Sequence, residues 1–221
     1  MSAILQSLQN ILYTLPCILL ALTVHEVAHG WMAMRLGDHT ARNLGRLTLN
    51  PLKHLDPVGT LCMIFFHFGW ARPVPINSRY FKKPRRDMAL TALAGPVSNI
   101  IMGALGILLY CIFYRIFSSH MAEGFLFNVQ LSVLTLLMYF YQLNISLAVF
   151  NLLPVPPLDG SRIFLTFLPP RYYFGIMQYE RYIQFGLMLL LYLGFLNTPL
   201  SFLRNLLING IFRLVELLPF I

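Results

Sequence analysis

The chain has 221 residues, of which 57% are hydrophobic and only 11% charged, and 16 Lys and Arg stand against 8 Asp and Glu. A soluble domain of this length carries about 25% charge, so the composition excludes an ordinary water-soluble enzyme and places the chain in lipid as one multi-spanning unit. The net charge of +8 is not a nucleic-acid footprint, because the basic residues flank apolar segments as topology signals do.

The first apolar segment covers about residues 4–35 and carries "VHEVAHG" at 24–30 before ending at Arg35-Leu36-Gly37-Asp38. Residues of about 38–56 are polar. A run of about fifteen residues, 57–71, follows. It is short of the about 20 residues that a helical span needs. "RPVPINSRYFKKPRRD" comes next, then a second long apolar segment at about 88–117 containing "LAGPVSN", and a third at about 126–153. "LPVPPLDGSRIF" breaks the third helix with prolines. Two further spans are expected at about 174–197 and 199–218.

Arg35, Arg42, Arg46, Lys53, Arg72, Arg79, Lys82, Lys83, Arg85 and Arg86 all fall between the first and second long segments. The positive-inside rule puts that region in the cytoplasm. The run 57–71 then reads as a re-entrant or interfacial element rather than a crossing, because a crossing would strand "KKPRR" outside. The expected architecture is all-α: about five to six transmembrane helices with a re-entrant or interfacial element at about 57–80, N-terminus outside. The whole chain, 1–221, reads as one membrane-embedded domain, with a core at about 4–168 and accessory helices at about 174–218. Cys17, Cys62 and Cys111 are widely spaced and read as apolar packers.

Chemistry concentrates in "HEVAHG". His25 and His29 are four residues apart, so on a helix they share a face one turn apart and can bind one metal ion. Glu26 points about 100° around the helix. It therefore stands beside the metal, where it can take a proton from water. HExxH on a helix is the zinc-hydrolase arrangement. In a membrane the alternative, a chance pattern, would also carry the cost of each buried ionisable group.

Two histidines leave a tetrahedral zinc short of a protein ligand. Asp159 of "NLLPVPPLDG" follows a long apolar helix and sits where prolines interrupt the chain at membrane depth. Alone it reads equally as an Asp-Gly turn; beside the histidines it is the best candidate for third ligand. Asn151 and Asn99 are polar groups in apolar segments, fit to donate to a substrate carbonyl or oxyanion or to bind helices together. Asn144 reads as interhelical glue, His54 as a loop residue and His67 as an interfacial one. Gly95-Pro96 is expected to kink its helix. The prolines at 154, 156 and 157, and the "GWARPVPIN" stretch, could pair with an unwound substrate strand.

"HEVAHG", "AGPVSN" and "NLLPVPPLDG", in that order and each on its own apolar segment, resemble the site-2 protease family of intramembrane zinc metalloproteases. "LNPLKHLDPVGT" and "GWARPVPIN" resemble its compact bacterial members without a PDZ domain. The resemblance covers about residues 20–165. It implies one zinc per chain held by His25, His29 and Asp159, with Glu26 as catalytic base. It also implies functional roles for Asn151, which precedes the aspartate by eight residues, and for Gly95 and Asn99 of a GxxxN motif. The implied substrate is a transmembrane protein, the implied partner surface the bilayer of a bacterial cell membrane, and the implied site opening cytoplasmic. A zinc transporter should show further ionisable groups along its spans, often in paired repeats. None appears beyond this cluster. An inactive scaffold would have no need of Glu26.

Overall fold

The structure, a computed structural model, describes residues 2–56, 59, 72–120 and 123–218. Eight α-helices lie among them: α1 Ser2–Arg35, α2 Thr40–Asn43, α3 Pro84–Ser119, α4 Phe125–Asn151, α5 Asp159–Phe164, α6 Pro170–Met177, α7 Glu180–Tyr192 and α8 Asn197–Glu216. No β-strand occurs among the described residues. The re-entrant element expected at 57–71, with Cys62 and His67, lies outside the described residues apart from Gly59.

Among the described residues, three helical stretches are long and apolar enough to cross a membrane: Gln9–Arg35 in α1, all of α3 and all of α4. α7 and α8 pass the same test only as a pair, bent by 84° between them. As expected, the protein is an all-α multi-pass membrane protein, and its described residues supply three such spans, or four with the bent pair. The C-terminal helices fall short singly for a local reason. α7 is only 13 residues long, about 20 Å at 1.5 Å per residue, and α8 carries Arg204, Arg213 and Glu216 among its apolar positions. α8 also runs antiparallel to α4. Its start shares a pocket with Phe150, while Phe212 stacks edge-on against Tyr141, with ring centroids 5.7 Å apart.

Close packing of α3 on α4 follows from small residues. A Cβ on Gly103 would stand 2.5 Å from Ile145 Cδ1, so the missing side chain makes room for the tip of Ile145 between the helices. Farther along, Ile107, Tyr141 and Val215 form a core that joins α3, α4 and α8. α3 begins with Pro at its first turn, where a missing N–H costs nothing. It runs unbroken through Pro96. Buried Asp87 in its first turn accepts from the Lys83 N–H at 2.9 Å, which closes an otherwise orphaned donor.

Between α1 and α3 the chain is held by side chains rather than by secondary structure. Asp38, fully buried, accepts from the Thr40 N–H (2.9 Å), the Thr40 hydroxyl (2.5 Å) and the Asn77 N–H (2.6 Å). Burial alone would raise its pKa, but these donors outweigh it and hold the carboxyl below the usual carboxylate range. His54 is buried as well, with Nε2 on the Thr48 carbonyl at 2.8 Å. The segment 72–77 is thereby fixed across the end of α1. At the other side of the same end, the Arg85 guanidinium donates to the carbonyls of Thr166 and Leu168, tying α3 to the chain after α5.

Candidate metal centre

α1 presents His25 and His29 from one face to the interior, and each is less than a tenth exposed. α3 crosses against them at Gly95. A Cβ there would lie 2.5 Å from His29 Nε2 and Cε1 and 2.6 Å from His25 Cε1, so the position is open only to glycine. The room that Gly95 leaves is filled by the two imidazole rings.

Each ring is oriented through its Nδ1. His25 Nδ1 donates to Asn99 Oδ1 at 2.5 Å, and His29 Nδ1 donates to the Thr91 carbonyl at 2.8 Å. The Asn99 amide nitrogen donates in turn to the Ala21 carbonyl (3.1 Å) and to Asn144 Oδ1 (3.0 Å). Because only the nitrogen can donate to a carbonyl, this fixes which end of Asn99 faces His25.

The third component arrives from α5. Pro154, Pro156 and Pro157 end α4, and the chain turns at once so that Asp159 opens α5. The turn is tight: a Cβ on Gly160 would collide with the carbonyls of Leu152 and Leu153. Asp159 Oδ2 then lies 3.1 Å from His25 Nε2 and 3.2 Å from His29 Nε2, and the two Nε2 atoms are 3.0 Å apart. With each Nδ1 donating to an oxygen, the neutral form of either ring presents its Nε2 lone pair to the cluster. In that form three lone-pair donors converge on one point, an arrangement suited to a cation. Ligands about 2.0–2.1 Å from a tetrahedral zinc stand roughly 3.3 Å apart, so this donor set fits zinc. His25, His29 and Asp159 form the candidate metal-binding group among the described residues.

Glu26 lies beside this group, and its Oε2 accepts from the Val74 N–H at 2.8 Å. Val74 is the only residue of Pro73-Val74-Pro75 that has an N–H. A cavity of about 390 Å³ opens over the cluster, lined by Glu26, Val74, Met88, Asn151, Asp159 and Arg162 among others.

The sequence-expected residues thus separate by place. His25, Glu26, His29 and Asp159 come together at one cavity, and Asn151 lines it. Asn99 does not reach it: the side chain is wholly buried and committed to His25, Ala21 and Asn144, so it is placed to orient an imidazole rather than to meet a substrate. Gly95 contributes space. Asn144, read as glue, is the support behind Asn99. The Thr91 carbonyl and the Val74 N–H are backbone groups with no signal in residue type, although the two prolines around Val74 mark a backbone held extended.

Comparison with known proteins decides the family. Residues 120–194 match the model of "Peptidase family M50". The chain is 42% identical over 170 residues to "Putative zinc metalloprotease YwhC" of Bacillus subtilis (strain 168), across 77% of this chain and 75% of that one. The chain belongs to peptidase family M50. Within this site-2 protease family, it is also 32% identical over 148 residues to "Putative zinc metalloprotease Rip2" of Mycolicibacterium smegmatis, covering 64% of this chain and 52% of that protein. The Rip2 of Mycobacterium tuberculosis (strain ATCC 25618 / H37Rv) is 33% identical over 149 residues, again across 64% of this chain and 52% of its own length. No solved structure gives a significant match. As an M50 peptidase the protein is a zinc metalloprotease.

Proposed function

We propose that this M50 peptidase cleaves peptide bonds in or near transmembrane segments of other membrane proteins, with His25, His29 and Asp159 holding zinc and Glu26 acting as the base. The observation that carries this reading is the convergence of three lone-pair donors, 3.0–3.2 Å apart, on one face of a cavity whose wall includes Glu26.

The zinc, when bound, supplies a Lewis acid that lowers the pKa of water to about 7 and polarises a carbonyl. The rest falls to the chain. The Val74 N–H occupies Glu26 Oε2, which leaves Oε1 to take a proton from water and to pass it on to the departing amine nitrogen. Asn151 lines the cavity and can donate to the substrate carbonyl as negative charge develops there. A helical substrate hides its peptide bonds, so it must unwind to enter.

The histidines precede the end of α1 by roughly six to ten residues, or about 9–15 Å. That end carries Arg35, and the basic residues between α1 and α3 gather with it. By the positive-inside rule the site opens toward the cytoplasm and the N-terminus lies outside.

The test uses purified protein in detergent or liposomes with a single-span model substrate. Glu26→Gln should retain zinc and lose cleavage, and Asp159→Ala should lose most of its zinc. Cleavage by the glutamine variant rejects the base assignment, and full zinc in the alanine variant rejects the ligand.

A further inference from the structure

A second cavity, larger than the one over the histidines, has neither of them in its lining. It adjoins their cavity, holds about 670 Å³, and is lined by Leu44, Arg46, Leu52, Lys53, Arg72, Pro73 and Pro75. Pro73 is shared between the two cavities, and its neighbour Val74 is the residue bonded to Glu26. Three cations line this second cavity, and no carboxylate does among the described residues.

Arg46 is tied to the Arg72 backbone. One guanidinium nitrogen of Arg46 donates to the Arg72 carbonyl at 2.8 Å. Its Nε is buried with no hydrogen-bond partner among the described residues. Burial and the nearby Arg72 charge both push the Arg46 pKa below its ordinary value, and the Glu26 carboxylate only partly offsets this. Two guanidiniums and an ammonium on one wall present a positive surface to the cavity, and arginine's planar fork suits a carboxylate. The frame is firm, since the Arg72 N–H donates to the His54 carbonyl at 2.8 Å.

We infer that this cavity is a specificity subsite for an acidic side chain of the substrate, a few residues from the scissile bond. The inference rests on the proteolytic reading above. An extended peptide advances about 3.3 Å per residue. A residue roughly two to four positions from the bond beside Glu26 therefore reaches past Pro73 to the cations. The shared wall favours a substrate segment over a lipid headgroup, which would have no reason to adjoin the catalytic cavity.

The experiment measures binding of fluorescent single-span peptides to full-length Glu26→Gln protein in nanodiscs of zwitterionic lipid. The peptides carry Glu or Gln two to four residues from the cleavage region. The Glu peptide should bind about fivefold tighter, the scale of a well-formed exposed ion pair. Adding Arg72→Gln or Lys53→Gln should shrink that preference, and Arg72→Glu should turn it toward a Lys peptide. Both side chains are exposed, so folding is not at stake. Equal affinity for the two peptides overturns the subsite. So does an effect of Arg72→Gln that appears only in anionic-lipid nanodiscs and equally for both peptides, which would mark a headgroup site. Cleavage of the Gln peptide by the wild type is scored separately. Failure to cleave the Glu peptide as well, alongside an intact Glu preference in binding, counts against the proteolytic reading and leaves the acid-binding site standing.

Discussion

Asn99 Oδ1 accepts the Nδ1 proton of His25 at 2.5 Å, from a side chain with no exposed surface. That contact selects the His25 tautomer whose Nε2 lone pair faces Asp159 and His29. Removing such an outer partner typically weakens metal affinity by about 10–100-fold. Asn99→Ala should therefore lower zinc affinity by this factor in a competition titration. Asn99→Asp, which keeps the acceptor, should recover part of it. Unchanged affinity in Asn99→Ala would mean that His25 needs no such support.

Gly95 and Gly103 occupy the same helix and face different neighbours. An added methyl at Gly95 meets both imidazoles at 2.5–2.6 Å, whereas at Gly103 it meets the tip of the Ile145 side chain. Gly95→Ala should displace the rings and lose most of the zinc. Gly103→Ala should keep zinc stoichiometric while lowering thermal stability by about 1–3 kcal/mol through overpacking. Metal analysis and thermal unfolding on the same samples check both outcomes.

Asp38 ties Asn77, and with it the extended segment that reaches Glu26 through Val74, to the end of α1. Its folded pKa is depressed, so its stabilising contribution is complete above the unfolded value of about 3.9 and is lost as pH falls through the folded value. Hydrogen exchange at the Val74 and Asn77 amides, corrected for intrinsic rate, should be flat from about pH 5 to 8 and should rise only in stronger acid. Asp38→Ala should expose these amides at neutral pH and reduce cleavage, with zinc retained.

His25, His29 and Asp159 place three acceptors against one another, so zinc should stabilise the folded chain by mass action. Chelation should lower the unfolding temperature of the wild type, and added zinc should restore it. Asp159→Ala should show a much smaller response to either. An equal response in both proteins would place the stabilising ion elsewhere.

Much of this was legible from residue order. The HExxH spacing puts two imidazoles on one helical face whatever surrounds them, and the apolar runs mark α1, α3 and α4 because a span needs length and low charge. The C-terminal helices were less legible. Hydropathy along the chain sees apolar residues but not the 84° bend that shortens α7. Asn99 stayed open between two readings for a similar reason: an amide in an apolar helix must have a partner, but sequence does not tell whether that partner is a substrate or a histidine.

By itself the sequence determined the class of chemistry and its medium, because ligand type, four-residue spacing and hydrophobicity are local properties. Only the tertiary structure brought Asp159 to histidines 134 and 130 positions earlier, gave Gly95 its reason, and set Val74 against Glu26. Those relationships depend on how α1, α3 and the start of α5 cross. That crossing is set by close packing between surfaces remote in sequence, which no local pattern of residues records.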